Sequence, residues 1–341
     1  MTKKKRSKPD WRSIAAALAK DFPRERLHPA VLAFADARAS SEKWSIAFSG
    51  GADSLALLLL LWAHWPKRHA RLQALHFNHR LRGRESDRDE KFCRGVAAAL
   101  GIKFARGVWK KAIKGASEAE SRAARLGFFE QHARVLWLGH HQDDIAETML
   151  MRLARGSGAG GLAAPRPVQP MPGGRVHLRP LLTLKKSEIV DALRRAGAVW
   201  REDSSNAGED YFRNRVRHQV LPAWSIAAQR DALAGAALTR SLLEEDDDAL
   251  EAWLAELRPF AKNGALELAK FSRKPRALLR RALHRWLHLQ PAAGRVSRQA
   301  FEALLSAAIE GKTTRQSLGR EGFSVIRNGR LFFEKIGKAR C

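Results

Sequence analysis

Ser49-Gly50-Gly51-Ala52-Asp53-Ser54 follows the apolar run Ile46-Ala47-Phe48 and leads into a leucine-rich segment. These residue types, in this order, predict a buried strand, a tight turn and a helix opening at Ser54. Paired glycines let the chain turn sharply and bring its N–H groups close to a ligand. The helix adds unpaired N–H groups and the positive end of its dipole. The chemistry on offer is phosphate binding. The common phosphate loop ends in Gly-Lys-Ser/Thr, and its lysine holds the β- and γ-phosphates. Here no lysine follows the glycines; Asp53 does. A Gly-Gly turn with no ligand is the bland alternative.

Four further clusters could carry chemistry. His76-Phe77-Asn78-His79, followed by Arg80, Leu81 and Arg82, reads either as an exposed polar strand end or as a nucleotide lining. The lining is preferred because the segment lies beside the glycine corner, and no third ligand has zinc-site spacing. Glu118, Glu120, Arg122 and Arg125 share one helix. A surface pair between Glu118 and Arg122 explains two of them, while the forked donors of Arg122 suit a nucleotide phosphate or its transition state. His140-His141-Gln142-Asp143-Asp144-Ile145-Ala146-Glu147-Thr148 places Asp144 and Glu147 on one helical face. Those carboxylates could hold Mg²⁺ or a cationic substrate group; a zinc or two-metal centre and a solvated helix start capped by Asp143 are the alternatives. Trp200 to Asn206, then Arg213, Arg215 and Arg217, combine planar and cationic groups suited to RNA; a structural loop with a basic helix is the other reading.

The elements that must position these residues alternate. Strands are expected at Trp44–Ser49, Leu72–Asn78, Lys103–Val108 and Val135–Gly139, and helices at Ser54–Trp65, Glu85–Leu100, Ser117–Ala133 and Asp143–Ala154. A further strand near Val176–Arg179 and a helix near Lys185–Ala196 follow. The pattern predicts an α/β fold, a parallel sheet with helices on both faces. Ligands of such sheets sit beyond the carboxyl ends of the strands, where Ser49, His76 to His79 and Gly139 to Asp144 all fall. Arg155-Gly156-Ser157-Gly158 and the Pro-rich stretch Pro165 to Pro172 read as loop. We expect a basic arm and helices over 1–42, a catalytic domain over 43–222, and a mostly helical, smaller region over 223–341. In the last, Glu244 to Asp248 is expected to be a solvated helix start, and Asn328-Gly329 the turn of a terminal hairpin.

Composition narrows the class. With 341 residues, 45% of them hydrophobic, two domains with sizeable cores are expected. No apolar run is long enough to span a membrane, and no secretory signal is read. Two cysteines, Cys93 and Cys341, give no disulfide or zinc framework and fit a cytoplasmic setting; Cys93 reads as a core residue on a helix. The net charge of +27 calls for a polyanionic partner, most simply nucleic acid.

Ser-Gly-Gly-x-Asp-Ser resembles the loop of the N-type ATP pyrophosphatases (the PP-loop superfamily, of Rossmann-like, adenine nucleotide alpha hydrolase type). The blocks taken together resemble the tRNA(Ile)-lysidine synthetase family: the glycine corner, His76 to His79 with Leu81-Arg82, Glu118 with Arg122, His140 to Thr148, Arg155 to Gly158 with Gly161-Leu162, Arg179-Pro180-Leu181-Leu182, and Trp200 to Asn206 with Arg213-Asn214, Arg217 and Leu221-Pro222. The likeness covers about residues 43–223. It implies a ligase that uses ATP to adenylate the C2 oxygen of cytidine 34 in the CAU anticodon of tRNA(Ile). L-lysine then attacks C2 to form lysidine, with release of AMP and pyrophosphate. It implies ATP on Ser49, Gly50, Gly51, Ala52, Asp53, Ser54, His76 and Asn78. Catalysis would fall to Asp53, Arg122, Asp144 and Glu147, lysine binding to Asp144, Glu147 and Arg213, and tRNA contact to Arg155, Arg213 and Arg217. Mg²⁺ would sit at Asp53. The oligomeric state is open, a homodimer being one option. Two rivals keep part of this picture: a tRNA thiolase, for which paired cysteines are missing, and an RNA-binding protein with an inactive nucleotide fold.

Overall fold

The computed structural model describes residues 9–80, 83–109, 118–202, 211–291 and 296–336. Leu81, Arg82, Asp203 to Asn206, Cys341, most of the basic arm and the side chain of Glu118 lie outside the described residues. The chain forms two compact units, residues 1–244 and 245–341.

The first unit opens with α1 (Trp11–Asp21) and α2 (Pro29–Asp36). Asp10 caps α1 by accepting from the N–H of Arg12 at 3.1 Å. The alternating segment then gives β1 (Trp44–Ala47), α3 (Ala52–His64), β2 (Leu72–Asn78), α4 (Arg84–Ala99), β3 (Lys103–Val108), α5 (Glu118–His132), β4 (Val135–Trp137) and α6 (Gln142–Leu153). A short α7 (Ala159–Leu162) leads to β5 (Val168–Met171), β6 (Arg175–Leu178) and α8 (Lys186–Arg195). The sheet order is β3-β2-β1-β4-β6-β5. All neighbours are parallel except β5, which runs against β6. The expected parallel sheet is therefore present, with one strand more than expected. β5 falls in the stretch expected to be loop: Pro170 has no N–H for a ladder, and β5 lies at the sheet edge, where that is tolerated.

Leu55 to Leu61 are buried without interruption, so α3 is apolar all round and lies inside the unit. It packs against β1, α1 and α8. Trp44, Trp65 and Trp137 cluster at the sheet centre, with Trp44 and Trp137 ring centroids 4.6 Å apart. Cys93 is buried on α4, as expected.

Next come α9 (Phe212–Arg215), a π-helical turn at Val216–Val220, α10 (Leu221–Ala228) and α11 (Ala232–Leu257). Leu221, Trp224, Leu233 and Ala236 pack with Ile145 and Met149 of α6. The first unit thus continues past Pro222 to Glu244. Glu244 to Asp248 lie in the middle of α11, not at its start. Glu244 pairs with Arg240 at 2.5 Å and, in the second unit, buried Asp247 pairs with Arg281 at 2.5 Å. The acids have arginine partners brought from other helices or one turn away, so this run is not simply a solvated face.

The second unit adds β7 (Leu266–Glu267), α12 (Arg276–His288), α13 (Arg298–Glu310), β8 (Thr314–Ser317), β9 (Gly322–Arg327) and β10 (Arg330–Lys335). Its sheet is antiparallel in the order β7-β10-β9-β8. The expected hairpin is β9–β10, with Asn328 and Gly329 at φ 49° and 68°. Trp286, Leu304, Ile326 and Leu331 anchor a separate core. Among the described residues no helix is long and apolar enough to cross a membrane.

Candidate active site

Strand order reverses between β1 and β4, opening a crevice at their carboxyl ends. One rim is the corner between β1 and α3. Gly50 adopts φ 91°, a backbone state that favours glycine. The hydroxyl of Ser54 accepts from the Gly50 N–H at 3.2 Å and donates to the Gly51 carbonyl at 3.0 Å, while Ser49 Oγ lies 3.1 Å from it. The N–H groups of Ala52, Asp53 and Ser54 begin α3 and have no carbonyl of their own helix to reach. Gly139, just beyond β4, carries no side chain to crowd the Ser54 amide. A Cβ there would lie 2.9 Å from the Asp53 carbonyl oxygen and 3.2 Å from the Ser54 nitrogen. The corner is buttressed from behind: Arg201 donates its N–H to the Gly50 carbonyl at 2.9 Å and its Nε to buried Asp89 at 2.6 Å.

The facing rim is α6. Asp144 accepts from the His141 N–H at 2.9 Å and so closes the first turn; the residue in the cap position is His141, not Asp143. Asp144 and Glu147 do share a face, and both are buried. Arg213 reaches Asp144 at 2.5 Å and Glu147 at 2.7 Å, and Arg217 reaches Glu147 at 2.6 Å. The family resemblance implies lysine and tRNA roles for Arg213 and a tRNA role for Arg217; it does not indicate that each would hold these carboxylates.

His141 joins the rims. Its ring lies 3.4 Å from Asp143, 3.4 Å from Asp144 and 3.7 Å from Asp53. Burial alone would lower its pKa, but the three carboxylates, Asp144 foremost, outweigh burial and raise it. Burial would likewise raise Asp144, yet the charges of His141 and Arg213 hold it well below the usual carboxylate range. His140 behaves oppositely: burial pushes it down to about 3, against the pull of Asp144 and with help from Arg179. Arg179 Nε donates to His140 Nδ1 at 3.2 Å, which leaves the proton of the neutral ring on Nε2.

Asp53 faces a residue that sequence reasoning passed over: Lys186 of α8 sits with Nζ on its carboxylate. Arg179, His141 and Arg201 were also given no individual role, because only the tertiary fold brings them to this crevice. The signal available for Arg179 was its place directly after a parallel strand. Arg122 is exposed on α5 and makes no hydrogen bond or ion pair with a described residue, while its charge reaches His140 and Arg179. His76 and Asn78 are buried at the end of β2. His76 Nδ1 lies 2.9 Å from the Phe48 carbonyl, and Asn78 lies 3.3 Å from Glu90. Arg155 is exposed beyond the end of α6. Among the described residues no three His, Cys, Asp or Glu are grouped to hold a metal on their own. Asp53 does offer the single carboxylate with which Mg²⁺ shares phosphate oxygens.

Comparison with known proteins fits this geometry. The chain is 36% identical over 273 residues to a tRNA(Ile)-lysidine synthase of Geobacter sulfurreducens, covering 75% of this chain and 56% of that one. It is 42% identical over 191 residues to one of Solibacter usitatus, covering 54% and 41%, and 31% identical over 305 residues to one of Persephonella marina, covering 85% and 65%. The chain thus spans about half the length of the curated relatives it matches. The family model described as a PP-loop domain matches residues 24–224, the span that builds both rims, and the chain belongs to that family.

Proposed function

We propose that this chain is a ligase that joins L-lysine to C2 of cytidine 34 in the CAU anticodon of tRNA(Ile), using ATP and working in the cytoplasm. The observation that carries the reading is the pairing of two unlike rims at one strand switch: free main-chain amides at Ala52 to Ser54, and buried carboxylates at Asp144 and Glu147 opposite. The amides receive the β- and γ-phosphates and stabilise charge growing on the departing pyrophosphate. The C2 oxygen attacks the α-phosphate, and the Pα–O bond to pyrophosphate breaks. Arg122, uncommitted among the described residues, supports that step from α5.

Lysine enters the other rim. Its amino groups take over contacts that Arg213 and Arg217 now make to Asp144 and Glu147, and Arg213 turns to its carboxylate. The ε-amine, after losing its proton to this carboxylate pair, attacks C2, and AMP leaves. Asp53 is the residue that would hold Mg²⁺, which when bound neutralises phosphate charge. His76 and Asn78 support the corner from β2. Arg155, Arg213 and Arg217 contact the RNA, and the C-terminal region is a further tRNA-binding part of the chain. A flipped base from a single-stranded loop reaches the crevice at modest cost.

Nucleoside mass spectrometry decides the matter. An unmodified CAU-anticodon tRNA(Ile) is incubated with the protein, ATP, Mg²⁺ and isotopically labelled lysine. Labelled lysidine supports the reading; cytidine unchanged after exhaustive incubation refutes it.

A further inference from the structure

We infer that Arg201 and Asp89 act together as a positioning pair. They hold the Gly50–Gly51 peptide in the one orientation that keeps its carbonyl oxygen away from the diphosphate. The inference rests on the reading of the corner as a pyrophosphate cradle and adds what keeps that cradle in shape.

A peptide between two glycines is the weak point of such a corner. Neither flanking residue has a Cβ to resist rotation of the peptide plane. The plane itself is rigid and trans, so its carbonyl and its N–H point in opposite directions. Whatever holds the Gly50 carbonyl therefore decides where the Gly51 N–H points. The carbonyl accepts from the Arg201 N–H at 2.9 Å, and the Gly51 N–H turns the other way, toward Ser49 Oγ at 3.4 Å. The reversed plane would present a partly negative oxygen where donors are needed.

The Arg201 N–H keeps its place because the side chain is anchored. Residues 198–202 are neither helix nor strand, so no ladder of main-chain bonds holds them. The stem of Arg201 passes the corner, with Cγ 3.5 Å from where a Cβ of Gly50 would stand, and Nε donates to Asp89 of α4 at 2.6 Å. From the same helix Cys93 Sγ and Phe92 come within 3.0 and 3.3 Å of that point. Gly50, at φ 91°, is thus enclosed by α4 and by Arg201. The Arg201 side chain is 38% exposed, and an arginine this open gains little stability from one ion pair. What a short charge-assisted bond to a buried carboxylate does fix is direction.

The test is calorimetric titration of the full chain with inorganic pyrophosphate, for wild type, Arg201→Met, Asp89→Leu and the double variant. Each single variant releases the peptide plane and is expected to weaken pyrophosphate binding about tenfold. Because the two residues act as a unit, the double variant should weaken it no further. Asp89→Asn, whose amide oxygen still accepts from Nε, should keep most of the affinity. Affinity for L-lysine, measured the same way, stays near wild type in every variant, which a general loss of structure would not allow. Should Arg201→Met lose its fold by circular dichroism, Arg201→Gln carries the same comparison. Unchanged pyrophosphate affinity in Arg201→Met overturns the inference, as does a double variant whose losses multiply to about a hundredfold. A wild-type chain that binds no pyrophosphate overturns both the inference and the cradle. Pyrophosphate binding that these variants weaken, in a chain that forms no lysidine, overturns only the proposed function.

Discussion

The two rims of the crevice are made of different materials. The corner at Ser49 to Ser54 is built of main chain: its donors are amides, and its side chains serve mainly to shape the turn. The α6 rim is built of charge: Asp144 and Glu147 are buried, and two arginines hold them. A main-chain rim fails when something fills or bends it. A charged rim fails when one charge is lost, because a buried partner is then left uncompensated. His141, between Asp53 and Asp144, lets each rim sense the other.

The largest effect should come from the charged rim. Asp144→Ala is expected to abolish lysidine formation, by roughly a thousandfold or more, with tRNA affinity in filter binding largely kept. Normal turnover in that variant would remove Asp144 from the lysine site. The main-chain rim is tested by Gly139→Ala, whose Cβ would sit 2.9 Å from the Asp53 carbonyl oxygen. Relieving that contact shifts the corner by up to about 1 Å, which predicts about a hundredfold loss in ATP–pyrophosphate exchange, with lysine affinity barely changed. Equal damage to both substrates would mean the rims are not separable.

Smaller effects concern the outside of the crevice and the link between rims. Binding of tRNA should weaken by about tenfold or more between roughly 50 and 200 mM salt, and Arg155→Ala should lower the logarithmic slope by about one; a flat titration would contradict the reading of the +27 charge. The last is a matter of pH. The raised pKa of His141 means its contribution to stability is complete below its unfolded value near 6.5 and is lost as pH rises through the folded value. Asp144 runs the other way: its depressed pKa gives stability above the unfolded value near 3.8 that is lost as pH falls through the folded one. Melting of wild type against His141→Gln should therefore show the wild-type advantage shrinking from pH 6 to pH 9. An advantage that grows over that range would show that His141 is not a charged bridge.

The main-chain rim was far more legible in sequence than the charged one. Gly50 and Gly51 after an apolar run, and the repeated alternation of strand and helix, are local signals, and β1 to β4 follow them closely. The face shared by Asp144 and Glu147 follows from helical spacing alone. Their arginine partners do not, since Arg213 and Arg217 arrive from beyond two further strands and two further helices. Lys186 was invisible for the same reason, and Arg179 was legible only as part of a block to which no individual role attached. β5 was missed because Pro170 reads as loop unless the edge position is known. The acids at 244–248 looked solvated because Arg166 and Arg281, which lie far off in sequence, cannot be assigned to them from composition.

A crystal structure of this chain with a non-hydrolysable ATP analogue and L-lysine tests the central claim most directly. The account predicts β- and γ-phosphates on the amides of Ala52 to Ser54, and a lysine ammonium between Asp144 and Glu147 with Arg213 on its carboxylate. Phosphates held elsewhere, or lysine absent from α6 while Arg213 and Arg217 keep both carboxylates, would contradict it.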